Sequence, residues 1–353
     1  MLRLQPNSHS VVSLTALAVL LIASVAQDVG AQVAYDTPHA RVEVLGLRHW
    51  TLKALQDSIR DRVPGQTLAD AACMVTLRDS LHFADALVQS LTISAKPGES
   101  AQHYLIIKVI EPQDSARVRW RPAARDSFKV LRPEYASVVL PVTSSVGQLL
   151  SGRLIQPLQL YGRDPAERAT AIHGRPQLMQ EDAERLWSFL DTHRSESDRL
   201  TAVAALRQDG PYVNRVVAAA VLANFAEQDS TWWALTDALR DGNEAVRLAA
   251  LVVLQGLPAR PVNWAPAIPA LRWLLGGTNV LATQDVMAML VRTHVSPAFA
   301  QALLHDNSDW VLTHLRAEYP GSKYYAHALL VQLNNGRDFG ENAVAWSRWL
   351  ATL

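Results

Sequence analysis

Cysteine is nearly absent from this chain: Cys73 is the only one among 353 residues. An intrachain disulfide is therefore excluded, and an exported fold would have to rest on its core alone. An excess of one charge is also missing, because 33 Lys and Arg balance 33 Asp and Glu, and the sequence pI is about 7.2. This balance gives no indication of a basic face for nucleic acid or of polybasic adsorption to a membrane.

The motifs of common catalytic and metal sites are missing as well. None of the eleven histidines lies in an HExxH motif or an i, i+4 pair, and no serine lies in a Gly-x-Ser-x-Gly context. The double glycine Gly276-Gly277 is followed by no lysine, unlike a phosphate-binding loop. We therefore expect no catalytic residue, no cofactor and no metal site. Cys73 has no CxxC partner and is predicted to be a small buried apolar residue.

Long hydrophobic runs are scarce, and the clearest one lies at the N-terminus. Residues 11–26 are rich in Leu, Val and Ala, follow Arg3, and are shorter than the ~20 residues of a membrane span. The small-x-small site Val29-Gly-Ala31 comes next. We predict a signal peptide over residues 1–31, a mature start at Gln32 and export to the periplasm, without a stable membrane span after cleavage. The alternative is an uncleaved anchor that keeps the protein membrane-associated.

Residues 40–112 show the pattern of a small α+β domain. Residues 41–45 alternate in polarity and predict a strand, and Thr51 is placed to cap a helix that reaches about Arg62. The sequence from Thr67 to Asp70 resembles a capping box and predicts a second helix as far as Ser80. Residues 86–94 and 104–110 are predicted strands, and the second is apolar on both faces like a central strand.

This region resembles a polypeptide-transport-associated (POTRA) domain. The motifs that carry the resemblance are Val42-x-Val44-x-Gly46, Pro64-Gly65-x-x-Leu68, Leu77-x-x-Ser80-Leu81-x-Phe83 and Leu105-x-Ile107-x-Val109-x-Glu111-Pro112. The order strand, helix, helix, strand, strand agrees with that family. The resemblance implies a protein-contact module, and an unrelated α+β domain of the same order is the alternative.

Residues 113–180 are predicted to be a proline-rich connector. Seven of the 18 prolines lie from Pro112 to Pro176, and proline disfavours long helices. We expect short strands at 118–120, 128–131 and 137–140, one helix over 148–160 broken at Pro157, and a flexible portion over 162–176. Few buried contacts are expected here, so a protease should cut within the connector and leave two fragments.

From residue 181 onward a helical phrase recurs. A basic residue is followed by Ala three positions later and Leu seven positions later, starting at Arg199, Arg215 and Arg247, with a weaker copy at Lys323. These positions share one face of a helix. Recurrence of such a phrase every few tens of residues predicts an α-solenoid, whose units bury their apolar faces on each other.

The segment Leu239-x-Asp241 to Leu254 resembles the signature of HEAT repeats, and the resemblance covers about residues 183–353. In that family a turn aspartate and the following arginine link neighbouring repeats. Asp209 precedes Arg215 by six residues, as Asp241 precedes Arg247. We therefore assign residues 181–353 to HEAT-like repeats. The resemblance implies a structural, repeat-linking role for Arg199, Asp209, Arg215, Asp241 and Arg247. A row of anion-binding arginines is the alternative.

The predicted fold is thus a small α+β domain followed by an all-α solenoid. The expected function is a non-catalytic scaffold for protein–protein interaction in the cell envelope, with unidentified envelope proteins as partners and no nucleic acid. One alternative is a lyase-like enzyme, because bilin-lyase relatives also use HEAT-like repeats. Another is a cell-wall or polysaccharide-binding protein that uses exposed tryptophans, although residues such as Trp232 and Trp346 are better suited to filling gaps between helices.

Overall fold

A computed structural model describes residues 32–93, 101–122, 131–143, 148–208 and 210–353. A small four-stranded sheet with its own helices is followed by a mostly helical region. The predicted order, α+β first and helices afterwards, is confirmed at this level. The predicted signal peptide, Asp209 and most of the predicted strand at 128–131 lie outside the described residues.

The sheet has the strand order β1-β2-β4-β3. Its strands are β1 Gln32–Asp36, β2 Arg41–Leu45, β3 Asp85–Ile93 and β4 Gln102–Ile110. β2 and β4 pair in parallel, while β1 with β2 and β3 with β4 pair antiparallel. The apolar β4 is central, as its composition predicts. β1 was not predicted; it joins the edge by pairing with β2, and its Val33 and Tyr35 pack on the core.

Helices cover one face of the sheet. Helix α1, Leu52–Arg62, begins where predicted, because the side chain of Thr51 accepts a hydrogen bond from the amide of Ala54 (3.2 Å). The second helix is shorter than predicted: α2 is only Cys73–Val75, followed by a π-turn at Thr76–Ser80. The amide of Thr67 donates to the carboxylate of Asp70 (2.7 Å), so this pair closes on itself as a turn before the helix.

Residues 118–120 belong to no strand, so that prediction is wrong, and from residue 136 the connector is helical where a strand and a flexible portion were expected. Its helices are α3 Ala136–Thr143, α4 Gln148–Tyr161 and α5 Pro165–Ile172. The prediction of a strand at 137–140 is wrong, because packing of Val138 and Val139 in the core overrides their preference for strands. α4 also continues through Pro157. The supposed flexible portion contains α5, which begins at Asp164 because this side chain accepts a hydrogen bond from the amide of Ala166 (2.8 Å).

The expectation of few buried contacts in the connector is also wrong. α3 packs against helices α6, Gln177–Thr192, and α8, Tyr212–Val221, while α4 packs against α6 and α10, Glu244–Gly256. Ile155 and Leu158 of α4 are buried in the same core as these helices. The connector is therefore part of the folded body.

The helices of the array stack in two layers. The remaining ones are α7 Glu196–Gln208, α9 Asp229–Ala238, α11 Ile268–Leu275, α12 Thr283–Arg292, α13 Ala300–Leu304, α14 Asp309–Arg316, α15 Pro320–Leu333 and α16 Ala343–Leu350. One layer runs α7, α9, α11 and α13, and the other runs α8, α10, α12 and α15. Such side-by-side stacking buries each amphipathic face on the next unit. No helix in the described ranges is long and apolar enough to cross a membrane.

The second face of the sheet packs against this array. Side chains alternate along a strand, so Leu45 and Ile106 point away from α1. Both are buried with Ala317, in the turn between α14 and α15. Ile110 is buried with Val280 and Trp310 of the array. The sheet is therefore a middle layer, with its own helices on one side and the array on the other.

Candidate functional site

The candidate site is the seam between sheet and array, defined here as the array-facing side chains of β2, β3 and β4 together with residues 117–121. Residues 117–121 form the strap, which starts at the last residue of a 3-10 helix, Pro112–Arg117, and then crosses the array without regular secondary structure. Most charged groups that the sequence singled out, and several that it did not, lie at or beside this seam.

Glu43 holds the sheet to the start of α15. This carboxylate is fully buried and accepts hydrogen bonds from the amides of Glu318 (2.5 Å) and Tyr319 (3.1 Å). These amides lie at the N-terminus of a helix, where donors lack intrahelical partners and a negative charge is stabilised. Arg41, beside Glu43 on β2, adds two hydrogen bonds to the carboxylate of Glu318 (2.7 and 2.9 Å).

Asp85 makes the corresponding contact with the array from the edge strand β3. Its carboxylate accepts from the amide of Val280 (3.0 Å), in the turn before α12, and from the guanidinium of Arg78 (3.0 Å). Burial raises the pKa of Asp85, and Arg78 opposes this effect. Two acidic side chains of the sheet thus bind backbone amides at two different turns of the array.

Lys108 and His314 meet in the middle of the seam without polar partners. Lys108 on β4 is 1% exposed, and in the described part of the chain its ammonium has no hydrogen-bond or ion-pair partner. Burial lowers the pKa of Lys108 to about 8, while the charges of Asp285 and Glu43 act in the opposite direction. Both ring nitrogens of His314 on α14 are buried without a hydrogen-bond partner. Burial first, and the charge of Lys108 second, hold the pKa of His314 well below its ordinary value.

The strap is fixed at both of its ends. Arg117 donates to the carboxylate of Asp309 at the start of α14 (3.0 Å), and the hydroxyl of Thr278 donates to the carbonyl of Arg117 (2.8 Å). That hydroxyl also accepts from the amide of Arg119 (3.0 Å). At the far end, Arg121 donates to the carboxylate of Asp241 and to the carbonyl of Leu206 (2.8 Å).

Asp241 is the centre of the predicted repeat-linking group, with partners that differ from those expected. Its two carboxylate oxygens accept from Nε and Nη2 of Arg215 (both 3.0 Å), which lies on the preceding helix pair. Arg247, six residues after Asp241, instead donates to the backbone carbonyls of Asp241 (2.9 Å) and Gly242 (3.2 Å). The guanidinium of Arg247 also lies 4.2 Å from the ring centre of Trp120 in the strap.

Arg199 is the remaining member of the predicted repeat-linking group that the structure describes, since Asp209 lies outside the described residues. Arg199 donates to the carboxylate of Glu196 (2.8 Å) and to the hydroxyl of Ser230 on the next helix pair (2.6 Å). Sequence reasoning missed Arg121 and Trp120, because the strap has neither a repeat nor a periodic pattern to mark it. Their only signal was a short run of basic and aromatic residues, Val118-Arg-Trp-Arg121, between two prolines.

A cluster of possible metal ligands and the single cysteine are the other groups with potential for chemistry. His49, Glu111 and Asp114 have potential metal-ligand atoms within 4.8 Å of one another. However, the carboxylate of Glu111 already accepts from three backbone amides, at Arg48 (2.9 Å), His49 (2.7 Å) and Trp50 (2.9 Å), so the cluster alone does not make a metal site. Cys73 is buried as predicted, and burial raises the pKa of its thiol to about 12.

Comparisons of the chain with protein-family models, with curated proteins and with solved structures found no match. The resemblances to POTRA domains and HEAT repeats therefore rest on the motifs quoted above.

Proposed function

We propose that the chain is an exported, non-catalytic scaffold that binds an envelope protein at the C-terminal end of its helical array. In this proposal the sheet domain is POTRA-like and the array is HEAT-like. The strand and helix order of residues 41–110 and the two-layer stacking of the helices support this interpretation. The seam keeps both parts in one orientation, so the array can present a fixed surface.

The observation that carries the proposal is a group of exposed apolar side chains at the end of the array. Tyr324 at the start of α15 is 64% exposed, Val344 on α16 is 60% exposed, and Phe339 between the two helices is 38% exposed. We call these three residues the terminal patch. Lys323 binds the carboxylate of Glu341 (2.9 Å), which holds the loop of Phe339 beside the first turn of α15.

The terminal patch exposes a tyrosine, a phenylalanine and a valine on one pair of helices, α15 and α16, and on the loop between them. Exposed apolar side chains on one pair of helices are a candidate interaction surface. A protein partner that covers the terminal patch would remove this apolar surface from water.

The tryptophans give no support to the polysaccharide-binding alternative. Each of the ten tryptophans is buried or half-buried. Trp232, Trp264 and Trp346 have no exposed surface, and Trp346 packs on Phe339 (ring centres 4.8 Å apart) and Trp349 (5.6 Å) as a terminal aromatic cluster. A row of exposed rings on which sugars could stack is therefore not formed.

The scaffold proposal is tested with a photo-crosslinking amino acid placed in the full-length protein in intact cells. Position 324 or 344 should give a discrete crosslinked product with one envelope protein, while the exposed control position 301 on α13 should not. Tyr324→Asp with Val344→Asp should abolish that product and leave the melting temperature unchanged, because both side chains are in solvent. Equal crosslinking at positions 324, 344 and 301 would contradict the proposal.

Export is tested separately by the mass of the protein recovered from the periplasm. The proposed signal peptide over residues 1–31 predicts a mature chain that begins at Gln32. A chain that retains Met1 and is found in the membrane fraction would favour the anchor alternative.

A further inference from the structure

An arginine that makes no hydrogen bond with the described residues lies on α5, where its charge is one of those that lower the pKa of Asp191. Arg168 is on α5, and its guanidinium carbon is 5.3 Å from the ring centre of Tyr161 and 5.1 Å from that of Trp187. Its Nε and Nη1 atoms are buried and have no hydrogen-bond partner in the described part of the chain. Nη2 likewise makes no hydrogen bond with the described residues, but it is not fully buried and keeps some solvent-accessible surface.

The two rings that hold Arg168 are themselves fixed. The indole nitrogen of Trp187 donates to the carbonyl of Pro157 on α4 (2.9 Å). The hydroxyl of Tyr161 lies within hydrogen-bond distance of the carboxylate of Asp191 (3.0 Å) and the amide oxygen of Asn224 (2.9 Å). The guanidinium is thus held in one place by rigid neighbours, unlike an arginine on an open surface.

A cavity of about 650 Å³ adjoins this arginine, between α5 and α6. Ile172, Trp187 and Ser188 line it together with Arg168. Two carboxylates also line the cavity. That of Asp191 is bound by Arg194 (2.6 Å), which contributes to lowering the pKa of Asp191, and that of Glu184 lies on an exposed residue.

The energetics of Arg168 favour a bound acceptor. Buried donors without partners cost free energy, and contact with aromatic rings offsets this cost only in part. Nε and Nη1 are enclosed, so an acceptor from outside can bind only at Nη2. A hydrogen bond from a guanidinium nitrogen to a carboxylate or phosphate oxygen is charge-assisted and therefore strong.

We propose that this cavity binds a small molecule through an oxyanion, a carboxylate or a phosphate group, held by Nη2 of Arg168 with the hydroxyl of Ser188 as a second donor. The cavity is larger than such a group alone, so the rest of the molecule packs beside Ile172 and Trp187. The proposal is independent of the scaffold function and of the terminal patch.

The test is calorimetric titration of the full-length protein with inorganic phosphate and, separately, with acetate, at constant ionic strength. Wild type should bind at least one of the two anions, and the stronger one identifies the source of the oxyanion. Arg168→Met should weaken that binding by at least about tenfold, because it removes the charged donors and keeps most of the apolar stem. Arg163→Gln is the matched control: it removes one exposed positive charge outside the cavity and should leave binding unchanged.

Arg168→Lys keeps the charge without the planar fork and should give an intermediate affinity, and it replaces the Met variant if that one does not fold. Wild type that binds neither anion would overturn the proposal. So would a folded Arg168→Met variant with wild-type affinity, or an Arg163→Gln variant that loses as much affinity as either Arg168 variant.

Discussion

Asp241 shows how much of this fold depends on one buried carboxylate. It is 3% exposed and accepts hydrogen bonds from Arg215 of the preceding helix pair and from Arg121 of the strap. Removal of one partner from such a group leaves the other charges buried and uncompensated. The carboxylate therefore links two neighbouring helix pairs and the segment that leaves the sheet.

We predict that Asp241→Ala lowers the free energy of unfolding by about 3 kcal/mol, since it leaves two arginines without their carboxylate. Urea denaturation of the full-length protein measures this. Asp36→Ala, which removes an exposed carboxylate paired with Arg41, is the control and should cost less than about 1 kcal/mol. Adding Arg215→Ala to Asp241→Ala should cost less than the sum of the single changes. Additive costs would mean that the two residues act separately.

A substitution at Arg247 distinguishes a structural role of the repeated arginines from a role in partner binding. Arg247→Ala removes hydrogen bonds to two carbonyls and the contact with Trp120, so we expect a loss of ~1–3 kcal/mol and a lower melting temperature. Partner binding should change only as far as folding does. A variant that melts like wild type but no longer gives the crosslinked product would show that Arg247 is a binding residue.

The buried Lys108 should make the free energy of unfolding depend on pH. Folding lowers the pKa of Lys108 from 10.5 to about 8. Below pH 8 the side chain is charged in both states, so the folded state carries the whole cost of burying the ammonium. Between these values the unfolded chain holds more protons, and stability rises with pH. One pKa unit corresponds to about 1.4 kcal/mol, so Lys108→Met should raise the free energy of unfolding at neutral pH by roughly 3 kcal/mol.

This advantage of Lys108→Met over wild type should shrink as the pH rises from 8 to 10.5, measured by urea denaturation across that range. Lys53→Met, at a side chain that is 84% exposed, is the control and should show no such trend. A difference between Lys108→Met and wild type that stays constant with pH would contradict the assignment.

At the scale of elements, α4 decides whether the connector belongs to the folded body. It packs against α6 and α10, and it contains Pro157, which the sequence indicated as a break. A proline within a helix removes one hydrogen bond and is tolerated where packing compensates. Here Ile155 and Leu158 supply that packing on both sides of the proline.

Ile155→Ala should destabilise the protein by about 2–5 kcal/mol, because it opens a cavity in the core shared by α4 and the array. Gln156→Ala, at an exposed position of the same helix, should change stability by less than about 0.5 kcal/mol. Thermal or urea denaturation distinguishes the two. Equally small effects would indicate that α4 is not packed in solution, in agreement with a loose connector.

At the scale of the whole molecule, the sheet is covered on both faces. Adjacent residues of β4 report on the two sides: Ile106 packs on Ala317 of the array, whereas Ile107 packs in the core under α1. Hydrogen exchange can therefore separate the seam from the sheet's own core.

We predict that Ile106→Ala speeds amide exchange at Glu318 and Tyr319, the donors to Glu43, by loosening the seam locally. Ile107→Ala removes the same atoms on the opposite face and should not speed exchange at those two amides beyond its effect on global stability. Hydrogen exchange followed by mass spectrometry of the peptide that contains them makes the comparison. Identical profiles for the two variants would mean that the seam does not open as a unit.

Local patterns in the sequence determined the elements with strong periodicity. The apolar β4, the cap at Thr51, and the alternation of β2 and β3 each predict their element, because side-chain period and capping chemistry are properties of a few neighbouring residues. The helical phrases from Arg199, Arg215 and Arg247 likewise indicate stacked helices. For the candidate site, the recurring phrase marked Arg215 and Arg247, and the resemblance to HEAT repeats added Asp241.

Tertiary structure alone decided what these residues contact. Val138 and Val139 form a helix because they are buried in the core beside α6 and α8. α4 continues through Pro157 because Ile155 and Leu158, before and after the proline, are buried in the same core. Arg121 and Asp241 are 120 residues apart and meet only when the strap crosses the array. In the sequence, Lys108 is a single charged residue in an apolar strand. Only the array packed on that face buries it, without a hydrogen-bond partner among the described residues. Such contacts depend on which surfaces come together, which no local pattern in the chain encodes.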